Sequence, residues 1–228
     1  RPEPISYYVR EGPVGDVFRA VANGETVDTA AVVGLGAGNI ACYRNDGERW
    51  TFYEIDPLVE HLARNPDYFT YLSECAPRSP VVLGDGRLAI EAAGDGAYDL
   101  IVLDAFSSDA VPVHLMTREA FDLYLEKLAA GGILLVNISN SYVRLRPVVA
   151  ALAADRGLAG RARLFVPDRP AEARREYRLP SEWVVLARDE GRLSGLDGLP
   201  GWEDLDPDGA PLWTDDFSNL VAALKWRF

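Results

Sequence analysis

The feature that most restricts the fold is a short apolar strand running into three alternating glycines, Val32-Val33-Gly34-Leu35-Gly36-Ala37-Gly38-Asn39. Glycines there let the backbone turn tightly and approach a ligand, and a helix expected from about Asn39 would offer that ligand its free N–H groups. Alone, such a turn is weak evidence. It gains force from the next strand, which ends in Glu54, twenty residues after Gly34. A doubly wound nucleotide-binding sheet places there the carboxylate that accepts hydrogen bonds from the ribose hydroxyls. The loop reads GxGxGN rather than GxGxxG, which favours a nucleoside without a pyrophosphate, S-adenosylmethionine or a relative, over NAD.

From about residue 30 to 140 the chain alternates short β-branched or aromatic runs with helical spacing, the signature of βαβ units on a parallel sheet. Val32–Val33, Trp50 to Ile55, Val81 to Leu83, Tyr98 to Asp104 and Ile133 to Ile138 read as strands, and Pro57 to Arg64 and Gly86 to Ala93 as helices. The clearest helix is Thr117 to Ala130, with Thr117 as N-cap, Phe121, Tyr124, Leu125 and Leu128 on one face, and Gly131–Gly132 as its stop. Another helix carries Leu145, Val148, Val149 and Leu152 and ends at Gly157. Leu164 to Val166 and Trp183 to Ala187 continue the strand pattern. Pro167 to Pro180, with Arg169, Arg174, Arg175 and Arg178, reads as a solvated loop or lid, Asp189 to Pro211 as a surface loop, and Thr214 to Trp226 as helical.

Two further carboxylates end strands: Asp85 in Leu83-Gly84-Asp85-Gly86, and Asp104, followed by Ala105-Phe106-Ser107-Ser108-Asp109. Ligands of open α/β sheets bind beyond the carboxyl ends of the strands, so Glu54, Asp85 and Asp104 are expected to converge on one crevice. For each Asp the alternative is a cap on the following helix. His114, before the clearest helix, is a candidate relay or substrate contact, or an ordinary structural donor. Ser107 and Ser108 have no His in any triad order, which argues against a hydrolase.

Composition narrows the partners. With 23 Lys plus Arg against 35 Asp plus Glu in 228 residues, the formal charge is −12, unsuited to neutralising nucleic-acid phosphates and compatible with a small cationic substrate or with solubility alone. No apolar run reaches the roughly 20 residues of a membrane helix. Cys42 and Cys75 could form at most one bridge and sit in no CxxC or Cys/His spacing, so neither a disulfide framework nor a structural zinc site is expected, and two buried or half-buried thiols are the default. The chain opens at Arg1 and its only methionine is Met116, from which we expect a piece of a longer protein.

VVGLGAGN (32–39), FYEIDP (52–57), LGDGR (83–87), YDLIVLDAFSSD (98–109), VPVHLMTREAF (111–121) and PLWTDDFSNL (211–220) together resemble the spermidine synthase-like proteins, the polyamine aminopropyltransferases and their relatives. The last two phrases look most like the bacterial branch fused to membrane segments. The resemblance implies an α/β, Rossmann-like class I methyltransferase fold: a mostly parallel seven-stranded sheet with helices on both faces, residues 1–29 as a lead-in helix and 30–228 as the nucleoside-binding catalytic domain. It implies a donor substrate, decarboxylated S-adenosylmethionine or S-adenosylmethionine, and a small cationic amine as acceptor. It also carries expectations of a homodimer, of a membrane segment in the full-length protein, and of a cytoplasmic location for this domain.

By the same resemblance Gly34, Gly36 and Gly38 would cradle the donor's tail, Glu54 the ribose, and Asp85 with Gly86 the adenine. Asp104 would face the incoming amine as the catalytic carboxylate, with Tyr8 at the mouth as a substrate contact; the residues themselves add Asp109 as a second candidate catalytic carboxylate and Ser107, Ser108 and His114 as candidate substrate contacts. Two departures matter. Aminopropyltransferases carry an Asp in the glycine loop that pairs with the donor's terminal ammonium, and Ala37 stands in that place. Their DSSDP phrase has its acids three apart, whereas Asp104 and Asp109 are five apart, with Ala110 where Pro would be. Aminopropyl transfer leads on resemblance, methyl transfer follows on Ala37, and a non-catalytic nucleoside-sensing domain of a membrane protein is the third reading.

Overall fold

The computed structural model describes residues 1–20, 27–105, 112–168 and 176–225. Among these, eight strands form one sheet: β1 Thr29–Val33, β2 Arg49–Glu54, β3 Val81–Leu83, β4 Tyr98–Leu103, β5 Leu128–Asn137, β6 Ala159–Phe165, β7 Ser181–Ala187 and β8 Trp202–Asp204. Their order is β3-β2-β1-β4-β5-β7-β6-β8. The first five are mutually parallel, and β7, β6 and β8 join antiparallel. The sheet therefore has eight strands rather than the expected seven, because Trp202–Asp204, inside the stretch read as a surface loop, adds an edge strand on β6.

Alternate residues of the central strands enter two separate cores, as buried parallel strands require. On one face Ala30, Val32, Trp50, Phe52, Leu100 and Val102 pack against α1 (Pro13–Ala20), α2 (Pro57–Arg64) and α3 (Tyr71–Cys75). On the other, Ala31, Val33, Ile101, Leu103, Leu134 and Val136 meet α4 (Gly86–Glu91), α5 (Arg118–Lys127) and α6 (Arg146–Asp155). The chain lays down β1, β2 and β3 outward, then returns to place β4 on the free side of β1. The β1/β4 junction is thus the topological switch point, beyond whose strand ends such folds bind ligands.

Several boundaries differ from the sequence reading for local reasons. The expected helix at Asn39 is a single 3-10 turn, Asn39–Tyr43. Asn39 spends its side-chain amide on the backbone of Ile5, accepting from its N–H at 3.1 Å and donating to its C=O at 3.0 Å. Helix α5 stops at Lys127, because Leu128 already pairs with Tyr98 as the start of a bulged β5. Among the described residues of the C-terminal stretch only α7 (Leu220–Ala223) is helical, while Thr214 and Phe217 bridge each other in a tight turn. Within 1–29 the described helix is Pro13–Ala20. Arg169, Arg174 and Arg175 lie outside the described residues. No helix among the described residues is long and apolar enough to cross a membrane.

The two cysteines form a disulfide, not the expected pair of thiols. The 3-10 turn lies directly against α3, so close that a Cβ on Gly38 would come within 2.8 Å of Leu72, and this packing brings the Cα atoms of Cys42 and Cys75 to 4.9 Å. A separation of 33 residues gives no hint of that proximity. Closing a loop of this length restricts the unfolded chain by about 3–4 kcal/mol on the chain-entropy account. Chemical denaturation with and without a dithiol reductant should show a loss of that order on reduction. Two thiols titrating in the denatured, unreduced protein would show that the bridge is not formed.

Candidate functional site

Beyond the carboxyl ends of β1 to β4 lies a cleft of about 450 Å³, lined by residues from all four strand ends, the 53–56 segment and the 112–115 segment. Its volume suits a nucleoside-sized ligand. Strand order sets the order of the groups along it: Asp85 follows β3, Glu54 ends β2, the glycine loop follows β1, and Asp104 follows β4. Three inter-strand spacings separate the ends, so Asp85 and Asp104 stand roughly 14 Å apart across the sheet.

The glycine loop is shaped by contact as much as by dihedral angle. Gly34 has φ +97°, and a Cβ there would sit 2.2 Å from the carbonyl oxygen of Asp104, so only glycine lets β1 end this close to β4. Gly36 has open space where its side chain would be and lines the cleft beside Gly34. Gly38 does not line it, being turned against Leu72. Glu54 is buried, its Oε2 accepting from the Leu35 N–H at 3.0 Å and its Oε1 from the Asp56 N–H at 2.9 Å. Each carboxylate oxygen keeps a lone pair after those bonds. Glu54 therefore holds the glycine loop in place and can still accept from a ligand.

At the β3 end, Asp85 is a helix cap that also faces the cleft. Its Oδ1 caps α4 through the Leu88 N–H at 3.1 Å, and its Oδ2 meets His114 Nε2 at 2.9 Å. Asp85, Gly86 and His114 all line the cleft. His114, with Pro112 and Leu115, thus walls the cleft at the β3 end.

At the β4 end, Asp104 accepts hydrogen bonds from the Tyr8 hydroxyl and, at 2.6 Å, from Asn137 Nδ2. Asn137 cannot flip without loss, because its Oδ1 accepts the Ser139 N–H at 2.8 Å. Solvent touches part of the Asp104 residue, but its carboxylate is packed among protein atoms, and that desolvation pushes its pKa up to about 7 against the pull of both donors. The negative charge of Asp104, together with burial, raises the pKa of Tyr7, and burial followed by the Asp104 charge raises that of Tyr8, so both phenols stay protonated. The two rings lie 4.5 Å apart and pack on Trp183. Ser107, Ser108 and Asp109 lie outside the described residues. Among the described residues no group of three or more His, Cys, Asp or Glu is placed to hold a metal.

Of the expected site residues, the cleft thus gathers Tyr8, Gly34, Gly36, Glu54, Asp85, Gly86, Asp104 and His114. Sequence reasoning missed Asn137, Tyr7 and Arg87. Asn137 had an available signal, the polar end of a buried strand next to the one ending in Asp104. Arg87 lies outside the cleft lining and had none.

The fold and the row of carboxylates define a Rossmann-like protein of the class I methyltransferase fold. It is similar to a probable spermidine synthase from Corynebacterium glutamicum, with a TM-score of 0.63 over 94% of this chain and 82% of that one at 20% identity. No family model matches the sequence. It is 33% identical over 111 residues to a polyamine aminopropyltransferase of Vibrio vulnificus, an alignment covering 46% of this chain and 36% of the relative. It is 28% identical over 108 residues to putrescine N-methyltransferase 3 of Nicotiana tabacum, covering 46% and 28%. The chain thus matches only 28–36% of the length of these curated relatives. The resemblance to polyamine aminopropyltransferases stands; a membrane-fused branch finds no support in these comparisons.

The raised pKa of Asp104 has a thermodynamic signature. Its folded value, about 7, lies above an unfolded value of about 3.9, so between those limits the native state holds more protons and the stability associated with this group falls as pH rises. Asp104→Asn removes the slope. Denaturant unfolding at pH 4.5 and at pH 8 should show the variant gaining on the wild type at the higher pH. An unchanged difference would mean that Asp104 is not desolvated.

Proposed function

We propose that this domain transfers an alkyl group from a sulfonium nucleoside to a small amine, with aminopropyl transfer from decarboxylated S-adenosylmethionine to a diamine as the leading reading. The observation that carries it is the row of groups across four strand ends in one cleft, closed at the β4 end by a desolvated carboxylate beside two phenols. The nucleoside's base lies at Asp85 and Gly86, its ribose on Glu54, and its tail over Gly34 and Gly36, with Gly38 setting the loop from behind. The acceptor amine meets Asp104 near Tyr8, with Asp109, Ser107 and Ser108 as further expected contacts. Four cleft carboxylates, Glu54, Asp56, Asp85 and Asp104, favour cations at both ends.

The donor supplies a carbon activated by positive sulfur, which leaves as a neutral thioether, so the protein's work is to orient the amine and take its proton. An alkylamine of pKa about 10 arrives as ammonium, and an ordinary carboxylate is about six pKa units too weak a base for it. Raising Asp104 to about 7 halves that mismatch, leaving about 4 kcal/mol to be met by desolvation of the ammonium. Tyr8 and Asn137 hold the Asp104 oxygens in fixed directions while they do so.

Methyl transfer is the second reading. Ala37 places no acid in the glycine loop to pair with a terminal ammonium, and one similar relative bears the name of a putrescine N-methyltransferase. We keep the homodimer, the attached membrane segment and the cytoplasmic location as proposals. The Cys42–Cys75 bridge pulls against the last, since cytoplasmic thiols are mostly held reduced.

Turnover tests the reading. Incubated with either donor and 1,4-diaminobutane, the wild type should yield an alkylated diamine whose mass tells aminopropyl from methyl transfer, at a rate that rises with pH through about 7. Asp104→Asn should slow it by about 10²–10⁴ with little change in nucleoside affinity. Tight nucleoside binding without turnover on any amine would favour the sensing domain instead.

A further inference from the structure

The C-terminal phrase Thr214-Asp215-Asp216-Phe217 has no part in the chemistry above, yet it is tied to the donor end of the cleft. Arg87, two residues after Asp85 on α4, makes a bidentate pair with Asp215, both N···O distances being 2.7 Å. The same guanidinium donates to the backbone carbonyl of His114 at 2.9 Å. Asp85 and Arg87 thus grip His114 from one helix start, the first by the ring and the second by the main chain.

Asp215 orients the guanidinium and is itself held. It accepts from the Thr117 hydroxyl at 2.7 Å, and its N–H donates to Glu119 Oε2 at 2.9 Å. Thr117 is also the N-cap of α5. The Arg87 guanidinium, beside Asp215, holds that carboxyl down at about 2, so the pair persists at any pH at which the protein would be assayed. An arginine with this set of contacts has no substitute in lysine, which lacks the planar fork.

We propose that Arg87 and Asp215 are positioning residues for the donor: their ion pair fixes the His114 main chain over the β3 end, so that the His114–Asp85 pair forms the wall against which the nucleoside base is held. The proposal rests on the donor reading of the cleft and goes beyond it, because it assigns a role to a segment 128 residues from Arg87 in sequence that never touches the ligand.

The test is a double-mutant cycle on the affinity for 5′-methylthioadenosine, measured by calorimetry, with melting temperature recorded in parallel. Asp215→Asn should weaken binding by about twofold to 150-fold, the range of coupled neighbouring groups, and Arg87→Lys should do the same, which covers the case in which one variant fails to fold. In a His114→Ala background neither change should weaken binding further. Unchanged affinity in Asp215→Asn and Arg87→Lys, or an equal loss with and without His114, overturns the proposal, the latter showing a general structural role. A wild type that binds no adenine nucleoside overturns the donor reading itself and this one with it, an outcome distinct from the other two.

Discussion

Everything at this site depends on how closely β1 and β4 end together. A side chain at position 34 would overlap the Asp104 carbonyl, so the glycine is what allows the Asp104 N–H to reach the Val33 carbonyl at 2.8 Å while the Gly34 N–H reaches Tyr53 at 2.8 Å. That three-strand junction delivers Leu35 to Glu54 and Asp104 to Tyr8 and Asn137. A glycine loop displaced by even an ångström would lose the Glu54 bond that holds it.

Around that junction the carboxylates differ in the partners that hold them. Glu54 and Asp85 are held by backbone N–H groups and a histidine, whereas Asp104 is packed away from water with two neutral donors. One row of carboxylates therefore offers different chemistry along its length: fixed acceptors where a nucleoside would lie, and a base of near-neutral pKa where an amine would arrive. Both cations expected in the reaction would be drawn to the same acidic cleft in a chain of net charge −12.

Much of this was legible in the sequence because strand ends are. Glycine, Glu and Asp at the ends of apolar runs mark the crevice of a doubly wound sheet whatever the rest of the chain does. Long-range pairings were not legible. Nothing local to Cys42 announces Cys75, nothing local to Arg87 announces Asp215, and β8 was hidden in a Gly- and Pro-rich stretch because three residues are too few to show a period. The 3-10 turn at Asn39 was missed for a related reason: the amide that would have capped a helix bonds instead to Ile5, 34 residues earlier. Asp85 shows the limit of choosing between cap and cleft residue, since one carboxylate has two oxygens and here one caps a helix while the other holds His114 at the cleft wall.

Calorimetric titration of S-adenosylhomocysteine into the wild type and into Glu54→Gln tests whether the cleft beyond β1 to β4 holds a nucleoside by its ribose. The wild type should bind one equivalent. The variant, which keeps the volume and removes the charge, should bind about 10- to 100-fold more weakly, the loss expected for charge-assisted bonds to the ribose hydroxyls. Equal affinity in the two proteins, or no binding by a folded wild type, would contradict the account.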